Sequence, residues 1–546
     1  MSTRPIADVG EELGLRPDDL VPFGRRVAKV ELSALERRGR RAGRLILVSA
    51  MSPDRAGIGK TTVSVGLSMG LRALGRRAVV CLREPSLGPV FGMKGGGTGG
   101  GKAQVQPADT INLQLTGDIG AVESANNLLA ALVDNALHFR TTELDPCSVT
   151  WRRVMDMNDR ALRNVVIGLG GRKNGVTRET GFDITAASEV MAVLALASSR
   201  EDLEQRLGRI VVGRARDERF LTAAEFQAVS PMSVVLKDAL LPNLVQTSEG
   251  GPALVHAGPF ANLAHGCSSV IATRLGLHLA DDVVTEAGFG FDLGGEKFLQ
   301  IKCRQAGLWP RCVVLAVSLR ALKAHGGAKR KACREPNPEA LRAGLANLEH
   351  HLESVRRFGL PAVVAINTFA GDTTDELRLV EEHSAGLGVG CARCDGYGRG
   401  SAGTVDLARE VAAVVDGDDD PGPTFLYPLE ASYAEKMRAI ARGVYGADDV
   451  HLELAARREV ERLVEAGYDG LPVCMAKTPF SLTDQDKHKG RPSGFTINVR
   501  EVRLQAGAGF VVALTGEIQT LPGLPKEPRG EIRLEDGQVR GLLQED

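Results

Sequence analysis

"RLILVSAMSPDRAGIGKTTVSVGLSMGLRALGRRAVVCLRE", residues 44–84, is the stretch on which the fold turns. Residues 44–50 are a short apolar run entering a glycine-containing loop, the pattern of a buried strand. Residues 60–74 place Val63, Leu67, Met69 and Leu74 at helical spacings. Residues 78–82 form a second apolar run that delivers Arg83 and Glu84 to its carboxyl end. Strand, loop, helix and strand make a βαβ unit, which demands a parallel sheet with helices on its faces. Ligands of such sheets collect beyond the carboxyl ends of the strands. Lys60, Arg83 and Glu84 are therefore expected to share one crevice.

The loop departs from the phosphate-binding pattern of glycine, four free residues, then Gly-Lys-Ser/Thr. Gly59-Lys60-Thr61 is in place, but Asp54 occupies the first glycine position, after Pro53, and Ile58 separates Gly57 from Gly59. Backbone N–H groups around Gly57 and Gly59, with the positive end of the following helix, still make an anion site. Lys60 adds a point charge for the terminal phosphate, and a hydroxyl of Thr61 or Thr62 can coordinate Mg²⁺. The expectation is a nucleotide-binding loop, stiffened at Pro53 and shaped unlike a standard one.

At 546 residues the chain is too long for one ordinary core, so roughly two to four domains are expected. With 67 basic against 68 acidic residues, the formal charge of −1 argues against a general nucleic-acid binder. No apolar run approaches the ~20 residues of a membrane span. The opening MSTRPIADVGEELGL is polar and acidic, unlike a signal peptide. Nine cysteines, scattered apart from Cys391 and Cys394, fit reduced thiols. A cytoplasmic protein is expected, without nucleic-acid or membrane partners. The single CxxC has no second pair and no nearby histidine, so two loop thiols are favoured over a metal or redox site.

Further buried strands are expected over residues 164–169, 282–285, 312–317 and 362–366. Leu341, Leu345, Leu348, Leu352 and Val355 alternate spacings of four and three, the mark of an amphipathic helix, which Gly359-Leu360-Pro361 stops. Residues 416–423 (DGDDDPGP) read as a surface connection, and a weaker break lies at 333–338. The fold class is α/β: a P-loop-type parallel or mixed-sheet nucleotide domain over 1–330, with two smaller α/β domains over 331–420 and 421–546. Residues 92–102 (GMKGGGTGGGK) hold seven glycines, and with Lys94 and Lys102 they read as an active-site loop whose backbone approaches a ligand.

Six blocks, "AGIGKTT", "LREPSLGP", "GFDIT", "HAGPFANLAHGC", "VTEAGFG" and "GRPSGFTINVREVRLQAGAGFVVALTGEIQTLPGLPK", together resemble the formate–tetrahydrofolate ligase family, in motif order from about residue 20 onward. The resemblance implies that ATP phosphorylates formate to formyl phosphate, which the N10 amine of tetrahydrofolate then attacks. Such a site needs cations more than acid–base machinery. Lys60, Arg83 and Glu84 are the catalytic candidates, with Arg83 suited to grip formate through its planar fork. Gly57, Gly59, Thr61 and Thr62 are nucleotide-binding candidates, and Phe289 looks like the family's aromatic near adenine. Phe369 and Tyr397 look like the two walls of the folate pocket. Ser86 and Asp118 are candidate substrate ligands, and Thr61 and Asp118 candidate Mg²⁺ ligands. His256 and His265 carry little catalytic weight. A monovalent cation and a homotetramer come with the family.

The chain departs from the family's pattern in the ligand loops. Ile58 replaces a glutamate, and the block "HFTGDFHA" is here "QLTGDIGA", with Gln114, Ile119 and Gly120. Ala257 replaces a glycine of "HGGPF", Ala370 follows Phe369 where "NRFP" has proline, and Tyr397 replaces a tryptophan. The resemblance therefore implies ligation of formate to tetrahydrofolate. A divergent paralogue with another acceptor, or a nucleotide-binding protein without ligase chemistry, is the alternative.

Overall fold

The computed structural model describes residues 3–37, 43–92, 96–418, 420–516, 518–527 and 529–542. Lys94 of the glycine-rich loop and Asp419 of the 416–423 connection fall outside them. Across the centre runs a sheet with twelve strands among the described residues. Seven are parallel, in the spatial order Pro252–Val255, Ala78–Leu82, Asp282–Glu286, Arg44–Ala50, Cys312–Val317, Ala362–Asn367 and Gly390–Cys394. Beyond Pro252–Val255 the sheet turns antiparallel, through Asn243–Thr247 to the strands near the amino terminus. The sheet is mixed, and its parallel part crosses residue 330 without a break.

The βαβ reading of residues 44–84 holds: strand Arg44–Ala50 leads to helix Lys60–Ala73 and then strand Ala78–Leu82. Their apolar runs are buried because helices cover both faces of a parallel sheet. The amphipathic helix spans Pro338–Arg357, capped by the Asn337 side chain, with all five periodic residues buried. Residues 164–169 are a correction. Only Val165–Ile167 is a strand, paired with Arg178–Thr180 away from the main sheet, and Val166 and Leu169 are 55% and 65% exposed. The apolar run has no facing layer to bury it.

A second apolar core gathers around helix Asp118–Phe139 and helices Glu189–Leu196, Arg200–Arg209 and Val229–Val235. Strands Val473–Ala476 and Phe510–Leu514 pair in parallel between the two cores. Val473, Met475, Val511 and Ala513 face the first core, whereas Cys474, Ala476, Phe510, Val512 and Leu514 face the second. Successive strand residues point to opposite faces, so these two strands are buried on both.

The 416–423 connection begins pinned: Asp416 accepts hydrogen bonds from Arg76 at 2.7 and 3.0 Å and also pairs with Arg44. Cys391 and Cys394 lie in strand Gly390–Cys394, three residues apart and hence on opposite faces. Burial pushes their thiols up to about 11 and about 12. No group of three or more His, Cys, Asp or Glu among the described residues suits a metal.

Candidate active site

The phosphate loop leaves strand Arg44–Ala50 and is built by turns that its sequence supplies. Asp54 does the work of the first glycine: its Oδ1 accepts the Ala56 N–H at 3.1 Å and its carbonyl accepts the Gly57 N–H at 3.2 Å. Gly57 and Gly59 then adopt φ of 81° and 79°, the left-handed region that favours glycine. Gly59 caps helix Lys60–Ala73, so the first N–H groups of that helix open onto the loop. Asn367, at the end of strand Ala362–Asn367, donates its Nδ2 to the Ile58 carbonyl at 2.8 Å. Ile58 itself is buried. At the other end, Ser52 N–H donates to His351 Nε2 at 2.9 Å, and Asn347 Nδ2 donates to Ser52 Oγ at 3.3 Å. Burial pushes His351 down to about 3, so its neutral ring accepts the backbone proton at Nε2.

Two strand ends bring charge to this loop. Thr61 Oγ1 donates to Glu286 Oε2 at 3.0 Å, and Glu286 ends strand Asp282–Glu286 beside strand Arg44–Ala50. Lys60 is pushed down to about 8 by burial; Glu286 opposes that shift and the charge of Arg83 adds to it. Arg83, just beyond strand Ala78–Leu82, donates one Nη to the Pro259 carbonyl at 3.1 Å. Its Nε is buried and has no hydrogen-bond partner among the described residues. A Cβ built on Gly288 would lie 3.3 Å from both Arg83 Nη atoms, so the backbone here comes right up to the guanidinium. Phe289 follows with φ of 60°, unusual for a bulky residue and of the kind that clusters at functional sites. Asp292, held by Lys477 Nζ at 2.6 Å, adds a buried negative charge felt at Lys60.

Glu84 points elsewhere. Adjacent strand-end residues face opposite sides, and the Glu84 carboxyl is buried with neither oxygen hydrogen-bonded among the described residues. Burial, reinforced by the charge of Asp118, raises its pKa well above the usual carboxylate range. Asp118 is committed: Lys29 Nζ lies 2.7 and 2.9 Å from its oxygens, Asn243 Nδ2 lies 2.7 Å away and Thr116 Oγ1 3.2 Å. The acid facing Thr61 is therefore Glu286 rather than Asp118. Ser86 is likewise spent, donating to Asp156. His256 is bridged between Ser269 at 2.6 Å and the Ala239 carbonyl at 2.7 Å, and burial pushes it down to about 3. His265 is buried, and neither of its ring nitrogens is hydrogen-bonded among the described residues.

Phe369 and Tyr397 follow the ends of neighbouring parallel strands, where Asn367 is paired with Cys394. The Arg320 guanidinium lies 4.1 Å from the Phe369 ring centroid, so at most one face of that ring is open. Tyr397 is 40% exposed and leans on the glycine-rich hairpin. A Cβ at Gly101 would come 2.7 Å from Tyr397 Cγ, and the Lys102 N–H donates to the Tyr397 carbonyl at 2.8 Å.

A family model described as formate–tetrahydrofolate ligase matches residues 1–543. The chain belongs to the formate–tetrahydrofolate ligase family. It is 59% identical to a formate–tetrahydrofolate ligase of Myxococcus xanthus (strain DK1622), over the whole of both chains. It is 54% identical to one of Paracoccus denitrificans (strain Pd 1222), covering 99% of this chain and 98% of that one. With the ligase of Methylobacterium sp. (strain 4-46) it shares 52% identity over the same fractions. Glu286 and Asn367 lie inside "VTEAGFG" and "INTFAGD" of this ligase-family chain, but nothing in those words ties them to the phosphate loop.

Proposed function

We propose that the crevice at Lys60 activates formate as formyl phosphate. This is the first half of the activity that family membership carries: ATP-dependent ligation of formate to tetrahydrofolate, giving 10-formyltetrahydrofolate, ADP and phosphate. The observation that supports the placement is the convergence of Lys60, the Thr61–Glu286 pair and Arg83 at adjacent strand ends.

The loop N–H groups at Gly57 and Gly59 and the Lys60 ammonium receive the β- and γ-phosphates. Thr61, with Thr62 beside it, and Glu286 offer hard oxygen donors that fit Mg²⁺. Magnesium supplies charge neutralisation on the phosphates when bound. Phe289 borders the nucleotide. Arg83 holds formate by its free guanidinium edge, so that a carboxylate oxygen faces the γ-phosphorus in line with the leaving oxygen of ADP. The formate–phosphorus bond forms as the bond to ADP breaks. The N10 amine then attacks the formyl carbon, phosphate departs, and the amine proton leaves with it to solvent. Burial, with the charge of Asp118, disfavours the charged form of the neighbouring Glu84. Phe369 and Tyr397 flank the pterin. The monovalent cation, the tetramer and the cytoplasmic location belong to this same proposal through family resemblance. Among the described residues, no helix is long and apolar enough to cross a membrane.

Arg83→Lys separates this reading from a mere nucleotide switch. The variant keeps the charge but loses the fork, so formate-dependent phosphate release should fall by about tenfold or more while ATP binding is kept. Unchanged formate KM and kcat would remove Arg83 from the formate site.

A further inference from the structure

Residues 350, 353, 354 and 357 recur at helical spacing and line one face of helix Pro338–Arg357, while Asn347 and His351 reach the phosphate loop from a neighbouring face. Against the first face, the turn at 442–446 and the loop at 491–493 enclose a cavity of about 390 Å³. Three guanidinium groups line it, those of Arg357, Arg442 and Arg491, with Glu353 as the facing carboxylate. Its floor is polar and buried. His350, 6% exposed, bonds the Val444 carbonyl through Nε2 at 2.7 Å, and Ser354 donates to the His350 carbonyl at 2.9 Å. Among the described residues His350 Nδ1 makes no hydrogen bond to the protein. Gly446 keeps the floor open: with φ of 74°, a Cβ there would sit 3.0 Å from His350 Cε1.

The cations are unequally committed. Glu353 grips Arg491 at 2.9 and 2.6 Å, with Glu349 at 3.9 Å on the rim. Arg442 spends only its Nε, on the Asp448 carbonyl at 2.8 Å. Arg357 makes no hydrogen bond or ion pair among the described residues. Arg357 and Arg442, both exposed, thus line a concave space with no carboxylate hydrogen-bonded to either among the described residues. We infer that this cavity is a binding site for a small phosphate-bearing anion. Planar forks match phosphate oxygens two at a time, and a dianion answers both unspent charges where a monocarboxylate answers one. The volume lies within the ~300–1,000 Å³ of small-ligand pockets. The occupant is either inorganic phosphate, which the ligase reaction releases, or a phosphate monoester.

Titration calorimetry at low ionic strength tests this on the full chain carrying Lys60→Ala, which silences the phosphate loop. The titrants are inorganic phosphate and ribose 5-phosphate, with chloride matched. One saturable site per chain is expected, weakened about tenfold or more by Arg357→Gln with Arg442→Gln and abolished by Arg357→Glu. Markedly tighter binding of ribose 5-phosphate identifies an organic phosphate as the occupant, and equal binding identifies the free anion. No saturable binding of either titrant, or binding untouched by the arginine variants, overturns the proposal. The arginine variants made in the wild-type background should keep full ligase activity, because both residues lie outside the crevice.

Discussion

Gly59→Ala probes how the phosphate loop is held. The residue sits at φ 79°, where an L side chain costs about 1–2 kcal/mol. The new Cβ would also lie 2.4 Å from Asn367 Nδ2, so the amide must move and its 2.8 Å bond to the Ile58 carbonyl is lost. A neutral hydrogen bond contributes about 1 kcal/mol net. Together the two effects weaken the binding-ready loop by about 2–3 kcal/mol, or ~30- to 150-fold in kcat/KM for MgATP at ~1.4 kcal/mol per decade. Asn367→Ala alone removes only the bond and should cost about fivefold. Because both changes delete the same bond, the double variant should lie within about twofold of Gly59→Ala, not a further fivefold below it. The assay is steady-state turnover with formate and tetrahydrofolate saturating, alongside thermal melting to register any global loss. A Gly59→Ala enzyme with a third of wild-type kcat/KM, or a strictly additive double variant, would refute the reasoning.

Lys60, its pKa depressed to about 8, is charged below that pH and neutral above it. In the free enzyme, kcat/KM for ATP should therefore fall as pH rises through about 8, and Lys60→Arg should remove that limb; a wild-type profile flat to about pH 9 contradicts the assignment. Glu286→Gln should raise the Mg²⁺ concentration for half-maximal rate by about tenfold with formate KM unchanged, read from magnesium titrations of initial rate. Tyr397→Ala should raise the folate KM well above any change in the ATP KM, whereas Tyr397→Trp should lower it about fivefold if stacking contributes ~1 kcal/mol. Equal shifts for both substrates would reduce Tyr397 to a support for the Gly100–Gly101 hairpin.

What the sequence exposes is what lies close along it. The βαβ unit, the loop between its parts and the five-residue stripe from Leu341 to Val355 rest on periodicity within short windows, and each is found in the structure. The partners of the loop are another matter. Glu286 meets Thr61 only because strand Asp282–Glu286 lies beside strand Arg44–Ala50, and Asn367 reaches Ile58 from two strands away on the other side. No local pattern encodes either approach. Nor does any local pattern show that Asp118, a magnesium candidate by resemblance, is held by Lys29 from another part of the chain. Residues 164–169 failed for a related reason: hydrophobicity says what a run would bury, not whether a facing layer exists. Family position offers Tyr397 only as a candidate pocket wall; its footing on two glycines belongs to the hairpin, which no local pattern shows.

The strand order also sets a timetable for synthesis. Strand Arg44–Ala50 gains neither of its neighbours until the ribosome has passed residues 286 and 317, and the loop's anchor at Asn367 emerges later still. Strands Val473–Ala476 and Phe510–Leu514, which fill the gap between the two cores, come almost last. A nascent chain halted midway would carry unpaired strands rich in apolar residues, the template on which chains aggregate. Such long-range pairing also makes folding slow. Production of this protein in the cell should therefore depend on holding chaperones and on uninterrupted translation far more than its finished stability would suggest.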